Sequence, residues 1–230
     1  MGDADVSGIP RIGQNGEIDM EKLAEIRPDA VIGNGDADGW SWFDDDVNAQ
    51  LTGVAPFIPL PATGDIDTKI ADTREIADFL GADVTADSIV RADADLESAK
   101  REFRDAVSGK DLNFLLASPT KEILYTGVGF AQADLLAELG ATIVGAEAPA
   151  TGNPWGQVAW EDASTYPADV ILVEGYDPEN PFSAELWDDL PAVKARQLSG
   201  WYSKGALTSR NYADWLGGLA ERARGYTKVS

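Results

Sequence analysis

Seven aromatic residues stand where this sequence could recognise a ligand: Trp40, Trp42, Tyr125, Trp155, Tyr176, Trp201 and Tyr202. They fall in the turn-rich stretches GNGDADGWSWF, YTGVGF, GNPWG, EGYD and SGWYSKG. Singly, a loop aromatic is more often a lid over the core than a ligand contact. As a set they offer large contact area at low entropic cost, which suits a bulky organic chelate. Acid–base and metal chemistry have fewer candidates. There is no histidine and no cysteine, which excludes a Ser-His-Asp triad, histidine-ligated zinc, thiolate metal sites and disulfides. Carboxylate or lysine chemistry stays open. Asp44, Asp45 and Asp46 are hard oxygen ligands in type, but they lack the alternation and glycine of a calcium loop. They read as a solvated helix start. Gly33-Asn34-Gly35 before Asp36 is a poor dinucleotide fingerprint. No catalytic residue, resident metal or cofactor is therefore expected.

Composition narrows the classes further. The 230 residues are 44% hydrophobic, enough for packed cores. Forty acidic and 18 basic residues give a formal net charge of −22. Such a field repels phosphate backbones, so nucleic-acid binding is not expected. It serves as a solubility surface, or it attracts a cationic ligand or basic docking loops. No stretch is long and apolar enough for a membrane span. The opening residues, MGDADVSGIPRIGQNG, show neither a basic region nor an apolar run, so no signal peptide is expected in them.

The elements that position the aromatics alternate between strand and helix. Residues 20–26 have helical spacing, 30–33 read as a buried strand, and 33–39 as a turn-rich loop. A helix over 42–51, a strand over 56–60 and a helix over 65–80 follow. Residues 86–109 form the longest helix expected. Alternation then restarts: strand 112–117, helix 131–139, strand 142–146, short helix 161–165, strand 169–173, helix 183–190, strand 195–199 and helix 209–224. This βα order implies α/β lobes with largely parallel sheets.

An ungapped internal repeat supports two lobes. IDMEKLAEIRPDAVIGNGD from Ile18 aligns with VAWEDASTYPADVILVEGY from Val158, 140 positions on. Glu21 falls on Glu161 and Asp29 on Asp169. The second half carries a strand–helix–strand unit that the first lacks, so about forty residues of a first lobe are expected to be missing.

MEKLAEIRPDAVIG, LLASPTKEILYTGVGFAQADLLAELGATIVG and NPWGQVAWEDASTYPADVILVEGYD occur in an order that resembles the ferric-siderophore and vitamin B12 class of ABC-importer binding proteins. The resemblance runs from Gly16 onward. It implies two Rossmann-like α/β lobes joined by a single long helix, with the ligand clamped in the cleft between them. On that pattern residues 1–85 form an N-terminal lobe cut short at its start, 86–109 the connecting helix and 110–230 the C-terminal lobe. It also implies a monomeric, extracytoplasmic protein, periplasmic or a cell-surface lipoprotein, whose signal and anchor are not in this chain. Iron is carried only inside the bound chelate. Glu21 and Glu161 match the family's two surface glutamates that dock onto the permease dimer; each also suits a helix start. The family often places arginines in the cleft, and none is clear here: Arg74 and Arg196 read as structural. A neutral or cationic ferric hydroxamate is therefore expected over an anionic catecholate. Cobalamin or haem is the alternative within the family, and a carboxylate-dependent α/β enzyme the alternative outside it.

Overall fold

Asp19, Asp44 and Asp65 each precede a helix, and each carboxylate accepts from the backbone N–H three residues on, at 2.9, 2.8 and 2.7 Å. These N-caps satisfy amides that a helix start leaves unpaired. They fix three helices in the first half of the chain. The computed structural model describes residues 7–14, 17–41, 43–60, 64–150 and 154–230. Two compact units divide at Asp83 and Val84.

Unit 1 begins with a small hairpin, β1 (Gly13–Gln14) and β2 (Glu17–Ile18), followed by α1 (Met20–Ile26). A three-stranded sheet follows: β3 (Val31–Asp36), β4 (Gly39–Trp40) and β5 (Phe57–Leu60), with α2 (Asp45–Val54) before β5 and α3 (Ile66–Phe79) after it. β3 and β5 run parallel, with Val31 opposite Phe57 and Asn34 opposite Leu60. The glycine-rich segment expected as a loop is instead a tight hairpin, in which β4 turns back antiparallel to β3. Asp36 stabilises its turn by accepting from the Asp38 amide at 2.9 Å. The Asp44–Asp46 run starts α2. Leu23, Leu51 and Phe57 form the core, with Val31, Trp40, Phe43 and Val54 packed around them.

Unit 2 opens with α4 (Asp87–Val107). Its strands are β6 (Asn113–Pro119), β7 (Leu124–Thr126), β8 (Thr142–Ile143), β9 (Gly156–Val158), β10 (Val170–Glu174) and β11 (Leu198–Trp201). Its other helices are α5 (Ala131–Glu138), a 3-10 turn at Trp160–Thr165, α6 (Glu185–Asp188), α7 (Pro191–Lys194) and α8 (Ser209–Ala223). β8, β6, β10 and β11 are parallel. β7 and β9 extend the sheet antiparallel. Period-2 alternation splits the strands between two layers. Leu115, Ala117, Ile171 and Val173 pack with Ala163, Trp187 and Ala192 from the 3-10 turn, α6 and α7. Phe114 faces the other way and meets Phe103 of α4, ring centroids 5.9 Å apart.

α4 buries Ala92, Leu96, Ala99, Phe103 and Ala106, at alternating steps of four and three. α8 buries Tyr212, Leu216, Leu219 and Ala223 at similar steps. The alanines let the two stripes approach closely, and the helices pack along their length. The helix expected to join the lobes lies near the start of unit 2 and packs on α8.

Three further expected spans need correction. The strand expected at 142–146 is only the two-residue β8. The helix expected at 183–190 is only the four-residue α6, and Pro191 starts a separate short helix, α7, just past that span. The strand expected at 195–199 begins only at Leu198, since Arg196 takes a left-handed turn with φ of 58°.

At the N-terminal edge of the parallel strands, Asp169 is fully buried. It accepts from the amides of Asn113, Val229 and Ser230 and from the Ser230 hydroxyl, at 2.7–2.9 Å. Gln197 joins the same clasp by pairing with the Thr227 backbone in both directions. Burial pushes the Asp169 carboxyl up, but these donors outweigh it and hold the pKa down at about 2.

Candidate functional site

In α/β sheets the C-terminal strand ends are the ligand edge. In unit 2 that edge is set by Glu174, the last residue of β10, and its register partner Trp201, the last of β11. β7 lies beside the end of β6, with Thr126 opposite Ala117. The chain then passes Gly127, where a Cβ would come within 2.8 Å of the Trp201 indole. Glycine is the residue that admits the ring at this point.

The close approach gathers an aromatic cluster. Trp201 and Trp155 have ring centroids 5.4 Å apart, and Phe130 lies 5.3 Å from Trp201 and 4.7 Å from Trp155. Tyr125 adds an edge-on contact to Trp155 at 6.4 Å. Trp201 is buried and its indole N–H donates to the Ala117 carbonyl at 3.3 Å. Tyr125, Phe130 and Trp155 are half-buried above it. A buried ring thus supports three half-buried ones, whose remaining faces can offer apolar contact to a bulky organic surface.

The other expected residues divide. Trp201 ends a strand and sits in the core; it was expected in a loop because β11 was expected to start too early. Tyr176 is half-buried against the core layer formed by Trp187 and its neighbours. Tyr202 is 61% exposed, immediately after β11. Trp40 belongs to the margin of the unit 1 core, 5.6 Å from Phe43. Asn48 fixes its backbone by accepting from the Trp40 amide at 2.9 Å and donating to its carbonyl at 3.0 Å. Trp42 lies outside the described residues. Glu21 is exposed in the first turn of α1, and Glu161 is exposed in the first turn of the 3-10 segment.

Residues not singled out beforehand also shape this edge. Gln132, buried in the first turn of α5, donates to the Tyr202 carbonyl at 3.1 Å and to the Tyr212 hydroxyl at 3.2 Å. Burial raises the Tyr212 pKa to about 12, so it stays a neutral phenol. The Glu174 carboxylate accepts from the Ser203 amide at 2.8 Å and hydroxyl at 3.1 Å. Trp215 donates to the Gly200 carbonyl at 2.9 Å. Only the proximity of Tyr202-Ser203 to a strand end pointed to them, because the partners lie far off in sequence. Among the described residues, no group of three or more acidic side chains could hold a metal ion. Asp169, their one buried carboxylate, lies at the opposite edge. Arg196 precedes β11 and so stands away from the aromatic cluster.

A family profile described as periplasmic binding protein matches residues 2–204. The chain belongs to the periplasmic binding protein family. No curated protein matches it. Among solved structures it is similar to DesE, a ferric-siderophore receptor protein from Streptomyces coelicolor, at 25% identity and a TM-score of 0.88, over 100% of this chain and 81% of that one. It is similar in fold to the siderophore periplasmic binding protein from the fuscachelin gene cluster of Thermobifida fusca, at 24% identity and a TM-score of 0.67, over 96% and 83% of the two chains. It shares that fold with FhuD2 from Staphylococcus aureus, solved with bound ferrioxamine B, at 18% identity and a TM-score of 0.60, over 95% and 84%. The resemblance read from the sequence motifs holds, and so does the α/β class. Family and neighbours are substrate-binding proteins.

Proposed function

We propose that this protein captures a ferric siderophore outside the cytoplasm and hands it to an ABC importer, with hydroxamate chelates preferred. The observation that carries this reading is the cluster of Tyr125, Phe130, Trp155 and buried Trp201 at the ligand edge of unit 2. A ferric hydroxamate wraps its metal in oxygen donors and turns carbon outward. Half-buried ring faces suit that exterior, and their electron-rich surfaces attract a cationic complex. The net charge of −22 draws the same class of ligand and repels polyanions. No arginine is found in the described loops at this edge of unit 2 to clamp a catecholate.

Tryptophan fluorescence tests the reading. Titration with ferrioxamine B is expected to quench emission and saturate, while the iron-free chelator binds more weakly. A ferric tris-catecholate and cobalamin complete the panel. Exclusive binding of the tris-catecholate would overturn the hydroxamate preference. Saturable binding of cobalamin alone would move the protein to the vitamin branch of its family.

A further inference from the structure

Tyr202 has an exposed ring on a tightly fastened backbone. Its carbonyl accepts from Gln132, and the next residue, Ser203, gives both its amide and its hydroxyl to Glu174. Glu174 can reach them because it pairs in register with Trp201, and because the chain leaves β10 sharply through Gly175, with φ of 62°. Gln132 is buried, and its amide group is oriented by the Tyr212 hydroxyl, so its donor is set in advance. Charge-assisted hydrogen bonds are the stronger kind, and two converge on one serine. A solvent-exposed loop has no need of such anchoring for its own sake. A loop that presents an aromatic wall to a ligand does, since a ring already held loses less freedom on binding.

We propose that Glu174 and Gln132 are positioning residues, which fix the Tyr202–Ser203 backbone so that the exposed Tyr202 ring forms one wall of the chelate site. This inference rests on the siderophore reading above. It adds Tyr202 to the aromatic cluster as a preset contact and gives Glu174 a task that touches no ligand.

A double-mutant cycle with ferrioxamine B as probe tests it. Glu174→Ala is expected to weaken binding about tenfold, the size of one charge-assisted hydrogen bond, and Ser203→Ala about threefold. Glu174→Gln keeps an acceptor for the Ser203 amide and should recover most of the affinity. In a Tyr202→Ala background, Glu174→Ala is expected to have less than about a twofold further effect, because the two residues act through one contact. Trp155→Ala is measured alongside. If it weakens binding while Glu174→Ala and Ser203→Ala do not, the positioning role is overturned and the siderophore reading stands. A full Glu174→Ala effect without Tyr202 also overturns it, since Glu174 would then act by another route. If the wild-type protein does not bind ferrioxamine B, the hydroxamate reading falls and takes this inference with it.

Discussion

Trp155 and Trp201 touch each other, yet their removal should have different effects. Trp201 is buried, packs on Gly127 and donates to a strand carbonyl. Trp201→Ala is expected to destabilise unit 2 by about 3–5 kcal/mol, as large buried aromatics do. Trp155 is half-buried. Trp155→Ala should leave the denaturation midpoint nearly unchanged and weaken chelate binding by about 1–3 kcal/mol, as an anchor does. Urea melts and fluorescence titrations of both variants separate the roles; equal loss of stability would remove the distinction. Aromatic identity was legible in the sequence, but burial was not. Whether Trp201 ended a strand or opened a loop depended on the left-handed turn at Arg196, which an arginine does not advertise.

At the scale of elements, long periodic helices were legible and short strands were not. α3 and α4 lie within a residue or two of their expected spans, because each repeats its apolar stripe over several turns. β7 and β9 are three residues each and too short for alternation to show. They read as loops, which hid the sheet that carries Tyr125 and the strand that Trp155 immediately precedes. The repeat aligned Asp29 with Asp169, but Asp29 is exposed and Asp169 lies beneath the C-terminal segment. That difference has a pH signature. The Asp169 pKa is lowered from 3.8 to about 2, so the unfolded carboxyl takes up its proton at higher pH than the folded one. The stability it contributes is complete above pH 4 to 5, and is lost as pH falls from there towards 2. Asp169→Asn should flatten stability in this window and lower it at neutral pH by about 2 kcal/mol, through donors left without a charged acceptor. Denaturant melts of both proteins across pH 2–7 measure it; an unchanged acid limb would show that other carboxylates set the limit.

Over the whole molecule, charge is the leading variable. A net charge of −22 should speed association with cationic chelates at low salt, an effect that fades as the Debye length shrinks. For Glu21 and Glu161 we propose another partner, the permease of the importer. Both are exposed at helix starts, where an acidic group is worth about 0.3–1 kcal/mol against the helix dipole. Two matched charges would also make a bivalent address for a dimeric permease. The double variant Glu21→Ala with Glu161→Ala is expected to bind chelate normally and to lose uptake through its importer. Undiminished transport would reduce both residues to helix-start charges.

The pairing of α4 with α8 also sets an order of events during synthesis. The two helices open and nearly close unit 2, and the Ser209–Asp93 hydrogen bond between them spans 116 positions. A chain growing from its N-terminus makes the alanine-rich stripe of α4 early and its partner late. Until residues 209–223 emerge, α4 has no α8 to pack against, and the Asp169 clasp waits longer still for Val229 and Ser230. Closure over such a separation is slow, because the loop entropy is lost before the contacts form. Unit 2 therefore cannot complete its packing until nearly all of the chain has been made, whereas unit 1, with its own core around Leu51, has every residue it needs by Asp83.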